Sequence, residues 1–330
     1  MLTEKDIISM ASLYSGNIAS IRNLGGFHNL VYEVSGDRTC ILRIAQGKLD
    51  TETNSEIGFL RYLHMNGAPI APPVVSLQNR YVHLVAINDQ CYTVSAYQKA
   101  IGKDCWSRGL DGEERFIVIG RALGKIHRLS MTYSPHPAAK RRQWDQNPHL
   151  TKAAHVLGQY NADLAEVFRR WMASMRAFPR SKKSFGLIHG DFLFSNYFFD
   201  DSNSITVFDF DECEYSWYIY DIAVCMYYYL LGGDPKQLGE KAEEAEAMLF
   251  HLLSGYTVEC ELDGECLKNM NLFFQLRDWV LLSSVLETSA DSLAGWKKDF
   301  VEGAVDRLLT GKPFMDIDFQ GVYEKIAQAR

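Results

Sequence analysis

Four oxygen-bearing side chains flank a short predicted hairpin in the middle of the chain. Asp191 and Asn196 precede its first strand, and Asp209 and Asp211 follow its second strand. Because antiparallel pairing brings the outer ends of a hairpin together, we expect these side chains to converge. Carboxylate and amide oxygens suit Mg²⁺ in the company of phosphate. A further carboxylate beside such a metal suits a base that orients a hydroxyl group.

The hairpin that would position these side chains consists of two strand-like segments, 197–199 and 205–208. A turn-rich run of Asp, Ser and Asn separates them. Side chains alternate along a strand, so Asp211 is expected to point the same way as Asp209. Asp211 could contact a second metal ion or the substrate, or it could be a solvated acid; both alternatives stay open.

The N-terminal hundred residues predict a mostly antiparallel sheet with one inserted helix. Apolar periodicity and turn signals such as Gly36-Asp37 place strands at 18–24, 30–35, 39–44, 81–87 and 91–97. A short helix begins after Thr3, which is a suitable N-cap, and the inserted helix spans 51–65.

The remainder predicts a helical bundle, with no strands besides those of the central hairpin. Helical periodicity covers 113–129, 162–178, 222–231, 242–256, 267–288 and 296–309. The strand pattern gives way to Gly and polar residues near 98–102, so a boundary is expected there. The fold class is therefore α+β.

Composition restricts the partners and the compartment. The net charge of −7 disfavours nucleic acid and anionic membranes. The seven cysteines are scattered without a CxxC pair, which is typical of free thiols in a reducing cytosol. The N-terminus lacks the pattern of a secretory signal, and no apolar run is long enough to span a bilayer. A cytoplasmic protein without a membrane partner is expected, and the oligomeric state stays open.

The order of the central motifs resembles the aminoglycoside phosphotransferase and choline kinase family, whose fold is two-lobed and protein-kinase-like. The resemblance covers nearly the whole chain, and its motifs are HGD at 189–191, Asn196, FDFD at 208–211 and YDIA at 220–223. It implies a nucleotide-binding lobe at 1–97, a hinge at 98–102, and a helical lobe with catalytic loop and acceptor site at 103–330. It also implies transfer of the γ-phosphate of ATP, with Mg²⁺, to a hydroxyl group of a small molecule.

The resemblance gives the central residues separate roles. Asp191 would accept a hydrogen bond from the substrate hydroxyl, and Asn196 and Asp209 would hold Mg²⁺. His189 is expected to hold the loop through hydrogen bonds of its ring. Asp221 is expected to cap the following helix and brace the loop.

The resemblance also assigns residues to the nucleotide. They are Gly25, Gly26, Asn29, Arg43, Glu56, Ser95 and Tyr97. The Gly-Gly turn departs from the kinase G-x-G-x-x-G pattern, and Arg43 stands where kinases carry a Lys. Glu56 would orient Arg43, although a surface ion pair is the alternative. Ser95 and Tyr97 begin the linker whose backbone would meet adenine.

A second glycine pair, Gly120 and Gly124, looks superficially like a P-loop. The spacing is one residue short, and Ile126 stands where a Ser or Thr should bind Mg²⁺. Because the pair falls inside a predicted helix, close helix packing is the better interpretation.

Acidic and aromatic residues follow the hairpin, and they predict a cationic acceptor. Glu212, Glu214 and Trp217 could bind an ammonium group through charge and cation–π contact, or they could be core and rim packing. Amino sugars or aminoglycosides, amino alcohols and a protein Ser or Thr all stay open as acceptors, and the preference between ATP and GTP as the phosphate donor stays open too. The alternative classes are a Ser/Thr protein kinase of the same fold and a non-catalytic nucleotide-binding scaffold.

Overall fold

The computed structural model describes residues 2–26, 29–47, 50–104, 112–232, 241–289 and 293–328. The chain divides into two compact units. Unit 1 comprises Met1–Arg108, Thr132–Arg141 and Tyr197–Asp211, and unit 2 comprises Gly109–Met131, Arg142–Asn196 and Glu212–Arg330.

Unit 1 is built on an antiparallel sheet of five strands in the order β1-β2-β3-β5-β4. The strands are β1 Ile18–Gly25, β2 Leu30–Gly36, β3 Cys40–Gln46, β4 Val82–Ile87 and β5 Gln90–Gln98. Helix α1 is Glu4–Ala11, and helix α2, Asp50–Met65, lies between β3 and β4 in the chain. These elements confirm the predicted N-terminal sheet with its inserted helix.

Local sequence explains the ends and faces of these elements. The Thr3 side chain accepts the backbone N–H of Asp6 and caps α1, while the Asp6 carboxylate accepts the N–H of Thr3 in return. One face of the sheet is buried against α1, and its core includes Tyr14, Val34 and Leu42, none of which is exposed to solvent. Burial of this apolar face holds the sheet in register.

The predicted central hairpin is present in unit 1 as β7, Tyr197–Phe199, paired with β8, Ile205–Val207. The reason given for the direction of Asp211 is wrong. The strand ends at Val207, Asp209 has a φ of 64°, and a 3₁₀ turn starts at the next residue. Alternation along a strand therefore does not govern these two side chains.

Unit 2 is mainly helical. Its helices are α3 Glu114–Ser130, α4 Pro148–Tyr160, α5 Ala162–Ala177, α6 Tyr218–Leu231, α7 Ala242–Glu259, α8 Gly264–Lys268, α9 Met270–Ser289, α10 Trp296–Thr310 and α11 Phe319–Gln328.

Helices α3 and α7 approach closely at glycines. A Cβ atom at Gly120 would lie 1.8 Å from the carbonyl oxygen of Leu252, and one at Gly255 would lie 1.9 Å from that of Ile117. The packing interpretation of Gly120 is therefore confirmed, because no side chain fits at this crossing.

Three features of unit 2 differ from the predictions. Helices α4 and α11 were not predicted, although Asn147 before Pro148 is a good start signal, with Asn147 capping α4. The predicted 267–288 helix is two helices, α8 and α9. Strands β6, Phe185–Ile188, and β9, Glu214–Trp217, form an antiparallel pair, so the hairpin does not contain all the later strands.

The structure bears on two features of the composition, the length of the apolar segments and the state of the cysteines. Of the helices in the described ranges, none combines the length and apolar character needed to cross a membrane. The six cysteines whose surroundings are described all have free thiols, and only Cys91 among them is exposed.

Candidate active site

The loop that carries Asp191 in unit 2 is shaped by Gly190. Its φ is 83°, and a Cβ atom there would lie 2.4 Å from the carbonyl oxygen of Glu212. An L side chain is strained in this conformation and has no room. The glycine therefore lets the loop lie against the chain that leads into β9.

The Asp221 carboxylate fastens this loop to helix α6. It accepts the backbone N–H of His189 and the backbone N–H of Gly190, each at 2.8 Å. The predicted capping role is wrong, because α6 begins at Tyr218 and its N-cap is Trp217. Asp221 instead lies inside the first turn of α6. It accepts two backbone N–H groups of the loop, and these bonds brace the loop against the helix.

His127 on α3 is the further partner of Asp221, and sequence reasoning missed it. Its Nε2 lies 3.1 Å from the Asp221 carboxylate, and its Nδ1 lies 3.1 Å from the Tyr256 hydroxyl. Burial lowers the pKa of His127 despite the neighbouring carboxylate, so the ring is neutral near pH 7. The sequence did offer one signal for this residue: His127 is a polar ring among the regularly spaced apolar residues of α3.

Asp191 is half-buried and held by two side chains. Its Oδ1 lies 2.7 Å from Nη2 of Arg277, while the amide nitrogen of Asn196 donates to the Asp191 carbonyl oxygen at 2.9 Å. The backbone N–H of Asp191 donates to Nδ1 of the buried His189 at 3.2 Å. The loop is thus held through its backbone and its carboxylate. Sequence reasoning missed Arg277.

Arg43 and Glu56 form a buried ion pair in unit 1. Nη2 of Arg43 lies 2.7 Å from Oε2 of Glu56, and the two side chains are 6% and 0% exposed. The surface-pair alternative is therefore wrong. Burial alone would lower the pKa of Arg43, but the carboxylates of Glu56 and Asp211 raise it well above its ordinary value. The guanidinium carries its charge at any working pH.

Ser95 and Tyr97 lie within strand β5, before the expected hinge. Ser95 is paired with Arg43 on β3 and with Val82 on β4. The Tyr97 hydroxyl donates to Oε1 of Glu56 at 2.9 Å. The expectation that Ser95 begins the linker is wrong, because its backbone belongs to the sheet. Tyr97 instead orients Glu56 and lies under the guanidinium of Arg43, 4.8 Å from it.

Asp211 is neither solvated nor remote from the predicted phosphate residues. Its carboxylate lies 3.3 Å from Nη1 of Arg43 and accepts from the Asn29 amide at 2.9 Å. Arg141 donates to the Asp211 carbonyl oxygen at 2.6 Å. Unit 1 therefore gathers Asn29, Arg43 and Asp211 at one place. Sequence reasoning missed Arg141.

The backbone conformation of the turn before Asn29 explains why it contains two glycines. Gly25 and Gly26 have φ of 83° and 145°, and a Cβ atom at Gly26 would lie 2.1 Å from the carbonyl oxygen of Asn29. Glycine is thus required by the backbone. Phe27 and His28, which complete the turn in the sequence, are outside the described residues.

Glu212 and Glu214 share the guanidinium of Arg142 in unit 2. Arg142 donates to Glu212 through Nη2, and its Nε donates to Glu214 at 2.9 Å. Burial raises the pKa of Glu214 to about 7, although Arg142 opposes the shift. One internal cation, Arg142, therefore faces both acids.

Trp217 is a core residue. Its side chain has no exposed surface, its ring centroid lies 5.4 Å from that of Trp144, and its indole N–H donates to the carbonyl oxygen of Pro179 at 2.8 Å. The core-packing interpretation of Trp217 is therefore correct, and its interpretation as an acceptor residue is wrong.

The donor set expected for a divalent metal ion is small. Asp209 is an exposed residue. The amide nitrogen of Asn196 donates to the Asp191 carbonyl oxygen, and its side-chain oxygen accepts the Ser195 hydroxyl at 3.3 Å. Both are hard oxygen donors of the kind that Mg²⁺ takes together with phosphate oxygens and water. Among the described residues, no group of three or more His, Cys, Asp or Glu side chains is arranged to hold a metal ion.

Comparison with known proteins gives the class. Residues 20–256 match the model of the family described as "Phosphotransferase enzyme family". The chain therefore belongs to this family of phosphotransferases, as the motif resemblance predicted. Its sheet-then-helices architecture is that of the protein-kinase-like phosphotransferases.

Particular relatives are small-molecule kinases. The chain is 29% identical to an amicoumacin kinase from Bacillus subtilis (strain 168) over 91% of this chain and 92% of that protein. The structure of an amicoumacin kinase in complex with AMP-PNP, Ca²⁺ and Ami aligns with a TM-score of 0.88 at 23% identity, covering 97% of each chain. A microcompartment-associated aminopropanol kinase aligns with a TM-score of 0.72 at 21% identity, over 93% of this chain and 98% of that one. The chain is an enzyme that phosphorylates a hydroxyl group.

Proposed function

We propose that this enzyme transfers the γ-phosphate of ATP, in the presence of Mg²⁺, to a hydroxyl group of a small amine-bearing molecule. The observation that carries the proposal is the setting of Asp191. Its carboxylate lies on a loop fixed by Asp221 and is only half-buried, so it can accept a hydrogen bond from an alcohol. Positioning of this kind supplies most of the catalysis in phosphoryl transfer.

The nucleotide is assigned to residues 1–97. Arg43, oriented by Glu56, would bind phosphate oxygens bidentately, and Asn29 with the Gly25–Gly26 turn would approach them with side-chain and backbone donors. The guanidinium is already fixed by a buried carboxylate and a tyrosine ring, which lowers the entropy lost on binding. Asp211 contacts both Arg43 and Asn29, so we infer that phosphate competes with its carboxylate.

Asn196 and Asp209 are assigned to Mg²⁺. Bound Mg²⁺ supplies charge neutralisation on the β- and γ-phosphates in this class of reaction. Asn196 would offer its side-chain oxygen, which accepts the Ser195 hydroxyl at 3.3 Å, and the metal would replace that bond. Asp209 would offer an exposed carboxylate at the end of the hairpin.

The acceptor is assigned to the helical part, residues 103–330. The relatives named above act on small molecules, as their names say, and this favours a small molecule over a protein Ser or Thr. Glu212 and Glu214 are the proposed partners of an acceptor amine. Because Arg142 balances one of their charges and burial favours the protonated form of Glu214, at most one negative charge remains, which suits a single ammonium group better than a polycation.

Asp191→Asn tests the function. ADP release is measured with ATP or GTP, with and without Mg²⁺, over a panel of amino alcohols and amino sugars. We expect acceptor-dependent turnover that falls by about 10³-fold or more in the variant. Asp163→Asn, an exposed acid in the first turn of α5, is the matched control and should keep full activity. Nucleotide binding without turnover over the whole panel would instead support a scaffold.

A further inference from the structure

Arg277 on α9 lies against the residue proposed as the base. Its Nη2 donates to Oδ1 of Asp191 at 2.7 Å and to the hydroxyl of Tyr228 at 2.5 Å. The guanidinium also lies over the Tyr228 ring, 4.8 Å from its centroid. Arg277 is only 11% exposed, so its charge is largely removed from water. Such burial is costly unless a carboxylate is held close by.

The position of Arg277 is fixed by its neighbour on α9. Asp278 is buried, accepts from the Tyr227 hydroxyl at 2.6 Å, and binds Nη2 of Arg307 on α10 at 2.7 Å. Two consecutive tyrosines of α6 therefore contact two consecutive residues of α9. This double contact fixes the helical turn from which Arg277 projects, and a fixed guanidinium can in turn fix a flexible carboxylate.

Both oxygens of the Asp191 carboxylate meet a donor from unit 2. Arg277 approaches Oδ1, and the amide nitrogen of Asn196 lies 3.4 Å from Oδ2. An ionised carboxylate has about four lone-pair sites, so each oxygen keeps a site for a further donor. The rotamer is held while the capacity to accept a substrate hydroxyl remains.

We propose that Arg277 is the positioning residue of Asp191. It holds the Asp191 carboxylate in one orientation, so that the hydroxyl of the acceptor finds the remaining lone pair in line for attack on phosphorus. The inference rests on the proposed function, since it requires Asp191 to act on the acceptor. Arg277 acts through Asp191, and loss of orientation therefore lowers kcat more than it weakens nucleotide binding.

The test is a double-mutant cycle. Arg277→Met is made in the wild-type chain and in Asp191→Asn, and kcat and KM are measured with radiolabelled ATP. In the wild-type chain we expect kcat to fall about 10- to 100-fold, with the KM for ATP changed less than about twofold. In Asp191→Asn the same change should alter kcat less than about threefold, because the carboxylate it positions is gone.

Arg115→Met is the matched control. Arg115 donates to the Tyr229 hydroxyl at 2.9 Å, so it bonds the next tyrosine of α6. We expect its kcat to stay within about twofold of wild type. Arg277→Lys retains charge without the planar fork and should recover part of the loss, and it serves for the cycle if Arg277→Met does not fold.

The possible results distinguish failure of the positioning role of Arg277 from failure of the proposed function. Unchanged kcat in Arg277→Met, or an equal loss in the Asp191→Asn background, overturns the positioning role. A rise confined to the KM of the acceptor also overturns it and makes Arg277 an acceptor-binding residue. Full activity in Asp191→Asn overturns the proposed function itself.

Discussion

The Asp221 carboxylate accepts the backbone N–H of His189 at 2.8 Å, although the two residues are separated by 32 positions. This bond joins the loop of the proposed base to helix α6. The same carboxylate is buried and also meets His127. One side chain therefore connects α3, α6 and the loop.

Asp221→Asn should damage both stability and activity. The amide carries one acceptor oxygen and cannot satisfy all three donors that face the buried carboxylate, so we expect a loss of about 1–3 kcal/mol in unfolding free energy. Urea denaturation measures it, and kcat should fall even where the variant is fully folded. Asp263→Asn, at the N-cap of α8, keeps its capping oxygen and should change stability by less than about 1 kcal/mol. Equal stabilities of the two variants would contradict the bracing role.

The Arg43–Glu56 pair should show strong coupling. Arg43→Met leaves a buried carboxylate without its cation and should cost about 3–5 kcal/mol, part of which Glu56→Gln should restore in the double variant. The exposed pair Arg22–Glu33 is the comparison, with Arg22 69% exposed, and its coupling should be below about 1 kcal/mol. Denaturation of the two cycles in urea gives both energies. Similar coupling in the two pairs would show that burial adds nothing.

The free energy of unfolding should fall as pH rises, because Glu214 loses its proton more readily in the unfolded chain. Its pKa is about 7 in the folded chain against an ordinary 4.5, so the folded state binds more protons between these values. Unfolding free energy therefore declines from about pH 4.5 to about pH 7, by at most about 1.4 kcal/mol for each step of one in pH. Glu214→Gln should remove this decline. Unfolding measured in steps across this range checks the sign, and a rise in stability through the same window would contradict the assignment.

Two helical glycines should respond oppositely to alanine. Gly120→Ala places a Cβ atom 1.8 Å from the Leu252 carbonyl oxygen and should cost several kcal/mol by separating α3 from α7. Gly158→Ala on α4 meets nothing closer than 3.5 Å and should stabilise by up to about 1 kcal/mol through helix propensity. Thermal unfolding of the two variants compares them directly. A gain at Gly120 would refute the close crossing.

Local patterns were sufficient for most elements of the fold. Strand alternation, Gly-Asp turns and the Thr3 cap are interactions among neighbours in the chain, so the five-stranded sheet and the helix inserted after β3 were predicted nearly to the residue. The β6–β9 pair was not, because its strands are remote in the sequence and four residues long. Short strands carry too few residues to display a period.

The sequence determined the family and the candidate chemistry, since the types and order of Asp191, Asn196 and Asp209 are local facts. Only the tertiary structure shows which charged side chains pair with one another. Arg277 is 86 residues from Asp191, and its sequence surroundings are those of a core helix. Arg142 and His127 likewise acquire their partners only through packing. An ion pair formed between distant segments depends on burial and distance, and neither quantity is encoded in the neighbouring residues.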